Sequence, residues 1–220
     1  MRLLRPILGK YVELTIPGKR VSPRGKLIDV GNDIVVLYNG TQYLYIPATH
    51  IQSMSLTDEV EEARMNETEI QFDHTDIAYR KILMNAKGIF TEIYIHGPQS
   101  LHGYVTSIMN DFFVFFSPVY RTVYVAMEHV KSISPYEGNA TPFYMSKERF
   151  ALQPSPMALS RTFDQQLKRL EGELVILDLG EDPNKIGRLS AIDNNMLELI
   201  TANGQRVFMH IRHVKTIHLP

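Results

Sequence analysis

The stretch Gly187-Arg-Leu-Ser-Ala-Ile-Asp-Asn-Asn195 decides how this chain is built, because it occurs in three versions. The other two versions read Gly25-Lys-Leu-Ile-Asp-Val-Gly-Asn-Asp33 and Gly103-Tyr-Val-Thr-Ser-Ile-Met-Asn-Asp111. In each, a glycine opens an apolar run, and an Asn that begins a turn follows seven residues later. Similar segments in series along a chain are typical of an array of small, similar modules.

Outward from this stretch, the similarity extends over about 47 residues in each copy. The three copies run from Gly9 to Ser55, from Gly88 to Ser134 and from Gly172 to Leu219. Each copy closes on a histidine that an apolar residue follows: His50, His129 and His213.

The first copy indicates how one module folds. Tyr11-Val-Glu-Leu-Thr-Ile16 alternates apolar and polar residues, as a half-buried strand does. Asn39-Gly40 is a strong hairpin signal. The sequence predicts four further strands at Gly25–Val30, Ile34–Tyr38, Gln42–Ile46 and Ile51–Ser55. Five short strands of this kind predict a small, strongly bent antiparallel sheet or barrel.

A short helix is expected before each module. Ser160 is a candidate cap for a helix that ends near Gly172. Thr75 or Asp76 is a candidate cap for the helix before the second copy. Before the first copy there is only a helical stub, which Pro6 interrupts.

The chain is therefore predicted to contain three domains and two linkers. These are repeat 1 (1–56), an acidic linker (57–74), repeat 2 (75–134), a proline-rich linker (135–159) and repeat 3 (160–220). Charged or proline-rich connections of this kind are typical of solvated linkers. Because the modules are near the lower size limit for a self-sufficient core, we expect them to bury surface against each other or another chain.

Composition excludes several classes of protein. The net charge of −1 provides no global basic field for nucleic acid, so an acidic partner would need a local patch. The absence of cysteine excludes disulfides, cysteine–zinc sites and thiol catalysis. The apolar runs are too short to span a bilayer, and charge and proline break the N-terminal segment, so no signal peptide is expected. The sequence predicts a cytoplasmic protein without membrane contact.

A helix followed by five strands, with a closing apolar-x-His turn, resembles the Sm-like fold. In the third copy, Phe163-Asp-Gln-Gln-Leu-Lys-Arg-Leu170 resembles the N-terminal helix of the bacterial RNA chaperone of that superfamily. Ile211-Arg-His213 resembles its Tyr-Lys-His turn, where basic and histidine side chains line a pore that binds uridine. Tyr45-Ile-Pro-Ala-Thr-His-Ile51 is also similar to small proteins of spore-forming bacteria. The resemblance implies a mainly β chain of three tandem Sm-like (SH3-like) barrels, each preceded by a short helix.

The copies depart from the Sm pattern at the positions that contact RNA. Sm proteins that bind RNA carry an Asp in the third loop and an Asn four positions further on. Only the third copy keeps the Asp, as Asp193, and none keeps the Asn. RNA binding would therefore depend mainly on the third copy, and the candidate residues are Arg212, His213, Arg188 and Lys168.

The closing histidines allow two interpretations. They could form a ring of bases or metal ligands near a pore, or each could hydrogen-bond the turn that precedes it. Their recurrence among different neighbours favours the second interpretation. We expect neither a metal nor another cofactor, and no enzyme activity, because paired carboxylates, nucleophile–base sets and phosphate loops are missing. Asp29, Asp33 and Asp111 stand beside turns and are expected to accept hydrogen bonds from backbone amides.

Phe112-Phe-Val-Phe-Phe116 is apolar on both faces of a predicted strand. Either the strand is sandwiched between its own core and a helix or linker, or its outer face meets another module or chain. On the second interpretation, Phe113 and Phe115 are interface candidates.

Two functions follow as hypotheses. The first is a non-catalytic assembly or scaffold protein that acts through protein contacts, by self-association as a homodimer or by binding another protein. The likeness to proteins of spore-forming bacteria extends this hypothesis to a spore-associated role. The alternative is an RNA-binding Sm-like protein in which two chains close a pseudo-hexameric ring. In Sm-like proteins the fourth strand of one module pairs with the fifth strand of the next, so three modules leave two free edges.

Overall fold

Strands form in all three copies of the repeated pattern, as the sequence predicts. The computed structural model describes residues 1–19, 21–58, 77–97, 100–136, 143 and 158–220. In these residues the fold is mainly β, with fifteen strands that pair antiparallel and two short α-helices. None of the helices in this part of the chain is long and apolar enough to cross a membrane.

Each repeat contributes five strands, as predicted. In repeat 1 these are β1 (Tyr11–Thr15), β2 (Arg24–Val30), β3 (Ile34–Tyr38), β4 (Tyr43–Pro47) and β5 (Ser53–Leu56). In repeat 2, α1 (Tyr79–Asn85) precedes β6 (Phe90–Tyr94), β7 (Leu101–Ile108), β8 (Phe112–Ser117), β9 (Arg121–Ala126) and β10 (Ser132–Pro135). In repeat 3, α2 (Phe163–Lys168) precedes β11 (Leu174–Leu177), β12 (Ile186–Asp193), β13 (Met196–Ile200), β14 (Arg206–His210) and β15 (Thr216–His218).

The helix starts differ from the prediction. The α2 helix begins at Phe163 after Thr162, so Ser160 is not its cap; instead, the Ser160 amide donates to Gln166 Oε1 at 2.8 Å. The α1 helix begins at Tyr79, while the predicted caps at 75 and 76 lie outside the described residues. Repeat 1 has a 3-10 helix, Arg2–Ile7, with Pro6 inside it, in agreement with the predicted stub.

The chain divides into two compact units, and the division runs through repeat 2. The first unit contains the described parts of Met1–His102 and Val130–Ala140, and the second those of Gly103–His129 and Thr141–Pro220. The strand order is β6-β10-β4-β3-β2-β1-β5 in the first unit and β14-β13-β12-β11-β15-β9-β8-β7 in the second, with β7 counted from Gly103. The three-domain division stays a prediction, and its two linkers lie largely outside the described residues.

The terminal repeats are open sheets rather than closed barrels. The strand order is β5-β1-β2-β3-β4 in repeat 1 and β15-β11-β12-β13-β14 in repeat 3. In the described part of both repeats, the fourth and fifth strands do not pair with each other. A 3-10 helix turns the chain between them, Ala48–His50 in repeat 1 and Ile211–His213 in repeat 3.

The glycine that opens each copy has a steric role. A Cβ atom at Gly187 would lie 2.6 Å from the carbonyl oxygen of Ile200 on the next strand. The corresponding distances are 2.3 Å at Gly25 and 2.0 Å at Gly103. Each second strand then bulges beside this close approach, after Leu27, Val105 and Leu189. A bulge bends its strand and increases the local twist, so glycine and bulge together shape the module.

We expect Gly187→Ala to lower the free energy of unfolding by about 1–3 kcal/mol, because the added methyl group overpacks the contact with Ile200. Chemical denaturation followed by circular dichroism measures the change. Arg188→Ala, on the neighbouring exposed position of β12, is the control and should change stability by less than about 0.5 kcal/mol. Equal effects of the two substitutions would contradict the steric role.

Candidate assembly interface

Consecutive repeats are joined by one kind of backbone pairing, which we call the repeat junction. At the first junction, β4 of repeat 1 pairs with β10 of repeat 2, with Tyr45 opposite Ile133. At the second junction, β9 of repeat 2 pairs with β15 of repeat 3, with Tyr124 opposite Ile217. In both cases the fourth strand of one repeat pairs with the fifth strand of the next, as the resemblance to Sm-like proteins implies.

Side chains support the first junction. Ser134 Oγ donates to the carbonyl oxygen of Tyr43 on β4 at 2.6 Å. Tyr94 Oη donates to the carbonyl oxygen of Gly18 at 2.9 Å, and Lys131 Nζ donates to the carbonyl oxygen of Pro17. These bonds reach from β6, from β10 and from the residue before β10 to repeat 1, so they fix the position of these repeat 2 strands on repeat 1.

The second junction is apolar. Phe112 and Tyr124 lie in one buried cluster with Phe163 and Leu167 of α2. The Phe112 and Phe163 rings are 5.9 Å apart, and Tyr124 is only 3% exposed. Burial of an aromatic side chain stabilises a contact by roughly 1.5–3 kcal/mol. The outer face of β8 and β9 is therefore covered by the helix and sheet of the following repeat.

A carboxylate in one repeat also caps the helix of the next. Asp33 Oδ1 accepts from the backbone N–H of Tyr79 at 2.8 Å, and Asp111 Oδ1 accepts from that of Phe163 at 2.8 Å. Each acceptor meets the first residue of a helix, where backbone N–H groups lack intrahelical partners and negative charge is favoured. The prediction that these aspartates, and Asp29, bind backbone amides is confirmed, since Asp29 Oδ1 accepts from the Val30 N–H at 2.7 Å.

We expect Asp111→Ala to lower the free energy of unfolding by about 0.5–2 kcal/mol, because the Phe163 N–H loses its acceptor. Asp111→Asn keeps an acceptor oxygen and is the matched control, with a smaller loss. Guanidinium denaturation of the two variants checks this expectation. An Asn variant as unstable as the Ala variant would show that the capping bond is not what stabilises this position.

The closing histidines end the 3-10 helices that precede the fifth strands. The ring of His129 lies with Nε2 2.8 Å from the carbonyl oxygen of Arg212, in the corresponding turn of repeat 3. This hydrogen bond goes to the following repeat rather than to the turn before His129, so the preferred interpretation is wrong for this residue. The ring of His213 is exposed and packs edge-on against His210, with 6.0 Å between the ring centroids. In the described residues no group of three or more possible ligands is placed to hold a metal ion.

The four RNA-binding candidates lie on three elements. Arg212 and His213 share the exposed 3-10 turn before β15, while Arg188 lies on β12 and Lys168 ends α2. The backbone carbonyl of Arg212 accepts the hydrogen bond from His129, and Arg212 itself is exposed. RNA binding by these residues stays a prediction.

The side chains of Phe113 and Phe115 lie in the protein interior. Both are fully buried, and their rings contact edge-to-face with 6.4 Å between centroids. All six residues of β8 are buried, which explains why this strand is apolar on both faces. Contact of these two side chains with a second chain stays a prediction.

Sequence reasoning missed Asp178, which holds the start of β15. Its Oδ1 accepts from the backbone N–H of Lys215 at 2.7 Å and of Thr216 at 3.2 Å. Its Oδ2 lies 2.8 Å from Lys185 Nζ and 3.3 Å from Lys215 Nζ. Burial alone would raise the pKa of Asp178, but these hydrogen bonds and lysine charges outweigh burial and hold the pKa below its ordinary value. The segment between β11 and β12 has the same length, eight residues, as the segment between β1 and β2, so its length gave no signal of this role.

Residue His218 lies in the second junction with an unusual environment. The ring packs edge-on against Tyr120, with 5.6 Å between the ring centroids, and Nδ1 is buried with no hydrogen-bond partner in the described part of the chain. Burial lowers the pKa of His218 below its ordinary value of 6.5. The folded protein therefore favours the neutral form of the His218 ring.

Because the pKa of His218 is lower in the folded than in the unfolded chain, the unfolded chain binds more protons at this site as the pH falls. We expect stability from this site to be full above about pH 6.5 and to fall as the pH drops below that value. His218→Phe keeps an aromatic ring without the titration and should flatten the pH dependence of the free energy of unfolding between about pH 7.5 and 5.5. Identical slopes for the two proteins over this range would contradict the assignment.

Comparison with known protein sequences identifies the family of this chain. Residues 162–217 match the family described as the YwrJ third domain. The whole chain is 39% identical over 226 residues to the uncharacterized protein YwrJ of Bacillus subtilis (strain 168), with 100% of both proteins covered. The chain therefore belongs to the YwrJ family. It is also 26% identical over 144 residues to Spore coat protein B of the same organism, an alignment that covers 66% of this chain and 36% of that protein.

Proposed function

We propose that this chain is a non-catalytic assembly protein of the spore coat that acts through protein–protein contacts between Sm-like modules. The observation that carries the proposal is the repeat junction, which joins a fourth strand to a fifth strand twice within the chain. The same geometry leaves β5 and β14 with one strand partner each in the described part of the chain. Edge strands of this kind bind further strands readily.

Three features support Sm-like modules. The terminal repeats share the strand order five-one-two-three-four, and a 3-10 helix separates their fourth and fifth strands. A bulge occupies the same place in all three second strands. A short helix precedes the first strand of every repeat, although in repeat 1 it is a 3-10 helix.

The link between the proposal and the spore coat comes from a relative of this chain. Spore coat protein B is by its name a component of that structure, and it aligns with 66% of this chain. A chain that aligns over most of its length with a coat component, and whose described sheets end in edge strands, suits a role in building a layered assembly. Self-association as a homodimer or larger oligomer is part of this proposal.

The proposal is tested by producing the epitope-tagged chain in sporulating Bacillus subtilis and extracting the purified spores. We expect the chain in the coat extract, because strand edges and apolar faces bind it to the assembly. A fluorescent protein with the same tag and promoter is the control for passive trapping. Recovery of the chain only in the soluble lysate, alongside the control, would contradict a coat role.

Native mass spectrometry of the purified chain, without nuclease treatment, tests the RNA-binding alternative. On the proposal, the measured mass is a multiple of 25.2 kDa with no additional component. Bound mass that ribonuclease removes, and that Arg212→Ala reduces, would favour the RNA-binding alternative instead, because cation–phosphate contacts dominate such affinity.

A further inference from the structure

We infer that β5 and β14, which each have one strand partner among the described residues, pair with a second copy of this chain, docked head to tail, with β5 of one copy paired to β14 of the other. This inference rests on the proposed function and specifies its protein contact. It follows from what the two junctions inside the chain bury and from what the terminal edges expose.

The outer face of repeat 3 exposes positions that the other repeats cover. Phe208 on β14 is 61% exposed, and Met196 on β13 is 40% exposed. Tyr124 and Phe208 are equivalent, because each lies three residues before the 3-10 helix that leads to the fifth strand of its repeat. Tyr124, however, is only 3% exposed. Phe112, the equivalent of Met196, is fully buried. These positions are therefore buried at the second junction, while at the first junction Tyr45 is half-buried.

The start of repeat 1 exposes the complementary surface. Leu3 lies six residues before Gly9 and is 93% exposed. Gln166 lies six residues before Gly172, at the equivalent position of repeat 3, and is fully buried. In the first unit, α1 of the following repeat packs against β4 of the preceding one. A 3-10 helix carrying Leu3 would pack in the same way against β14 of another copy. Leu56 on β5, 63% exposed, adds to this apolar edge.

The backbone of β14 is oriented for such pairing. Bonds from Thr201 N–H to the Gln205 carbonyl (3.0 Å) and from Ile211 N–H to the Asn195 carbonyl (2.8 Å) bracket the pairing with β13. Because alternate residues of an antiparallel strand face alternate neighbours, the N–H and C=O of Phe208 point to the free edge.

The backbone of β5 is oriented in the same way. The bond from Thr57 N–H to the Tyr11 carbonyl (3.0 Å) fixes the alternation toward β1. It follows that the N–H and C=O of Met54 point away from β1, toward the free edge.

The internal junctions also set the register. Tyr45 opposes Ile133, and Tyr124 opposes Ile217. Ile133 and Ile217 each follow their closing histidine by four residues, as Met54 follows His50. The equivalent pair between two copies is therefore Phe208 opposite Met54.

The absence of cysteine makes this register testable by cross-linking. Opposed residues of a hydrogen-bonded antiparallel pair have Cα atoms about 5.5 Å apart, within the range that a disulfide spans. Phe208→Cys and Met54→Cys are purified separately, one of them with a mass tag, and then oxidised alone and mixed. We expect disulfide-linked dimers of unlike chains in the mixture and none from either variant alone.

Two outcomes would overturn the inference. Linked dimers of Phe208→Cys alone would mean that like edges meet in a two-fold contact. No linked product in the mixture, while sedimentation shows the wild-type chain to be monomeric, would mean that the edges do not bind a second copy. A monomeric chain that still enters the spore coat would contradict this inference and leave the coat role intact. A self-associating chain that never enters the coat would contradict the coat role and leave this inference intact.

Matched variants at one position separate docking from folding. Phe208→Tyr introduces the residue found at positions 45 and 124 and should leave the dissociation constant within about threefold. Phe208→Asp places a carboxylate in the docked contact, opposite Glu198 of β13, and should raise the constant about tenfold or more. Circular dichroism confirms folding, which an exposed position tolerates. Equal sedimentation of the Tyr and Asp variants would contradict docking at this face.

Discussion

The pairing of sheet edges is the constraint on which the rest of this structure depends. An open sheet of five strands presents two rows of unpaired N–H and C=O groups, and a module of this size is near the limit of what its own core stabilises. Joining β4 to β10 and β9 to β15 satisfies these groups and covers apolar faces in the same step. The unit of stability is therefore the junction between repeats, which is why the two compact units divide repeat 2 between them.

The turn between second and third strands shows how closely sequence follows this constraint. Where a helix follows, the turn carries Asp33 or Asp111, whose carboxylate accepts the first helical N–H. In repeat 3 the same place holds Asn194 and Asn195, with φ angles of 44° and 65°. Two consecutive residues of positive φ form the tight hairpin turn that Asn favours, and they need no helix nearby. Repeat 3 thus has a self-sufficient turn, whereas repeats 1 and 2 have a turn that reaches outward to the following helix.

Local patterns predicted the strands well, because alternation and turn residues act within a few positions of each other. The helix caps failed for the opposite reason. Ser160 was chosen because it lies close in sequence to the helix, but the acceptor at Phe163 is Asp111, 52 residues away. The bulges were also missed, since they depend on the close approach of the glycine to the neighbouring strand. Phe113 and Phe115 stood out in the sequence, whereas Phe208 emerged only from its equivalence to a buried residue of another repeat.

The character of the outer face distinguishes permanent from exchangeable contacts. At one position of the third strand, repeats 1 and 2 carry Val36 and Val114, each 2% exposed, while repeat 3 carries Glu198, which is paired with Arg206 at 2.9 Å. Covering a charged pair costs more than covering two valines, so a contact on this face is weaker than the internal junctions. A weak terminal contact prevents uncontrolled edge-to-edge aggregation at low concentration and permits assembly where the chain is concentrated. Strong inner junctions with a mixed terminal face are the arrangement that an ordered, stepwise assembly requires.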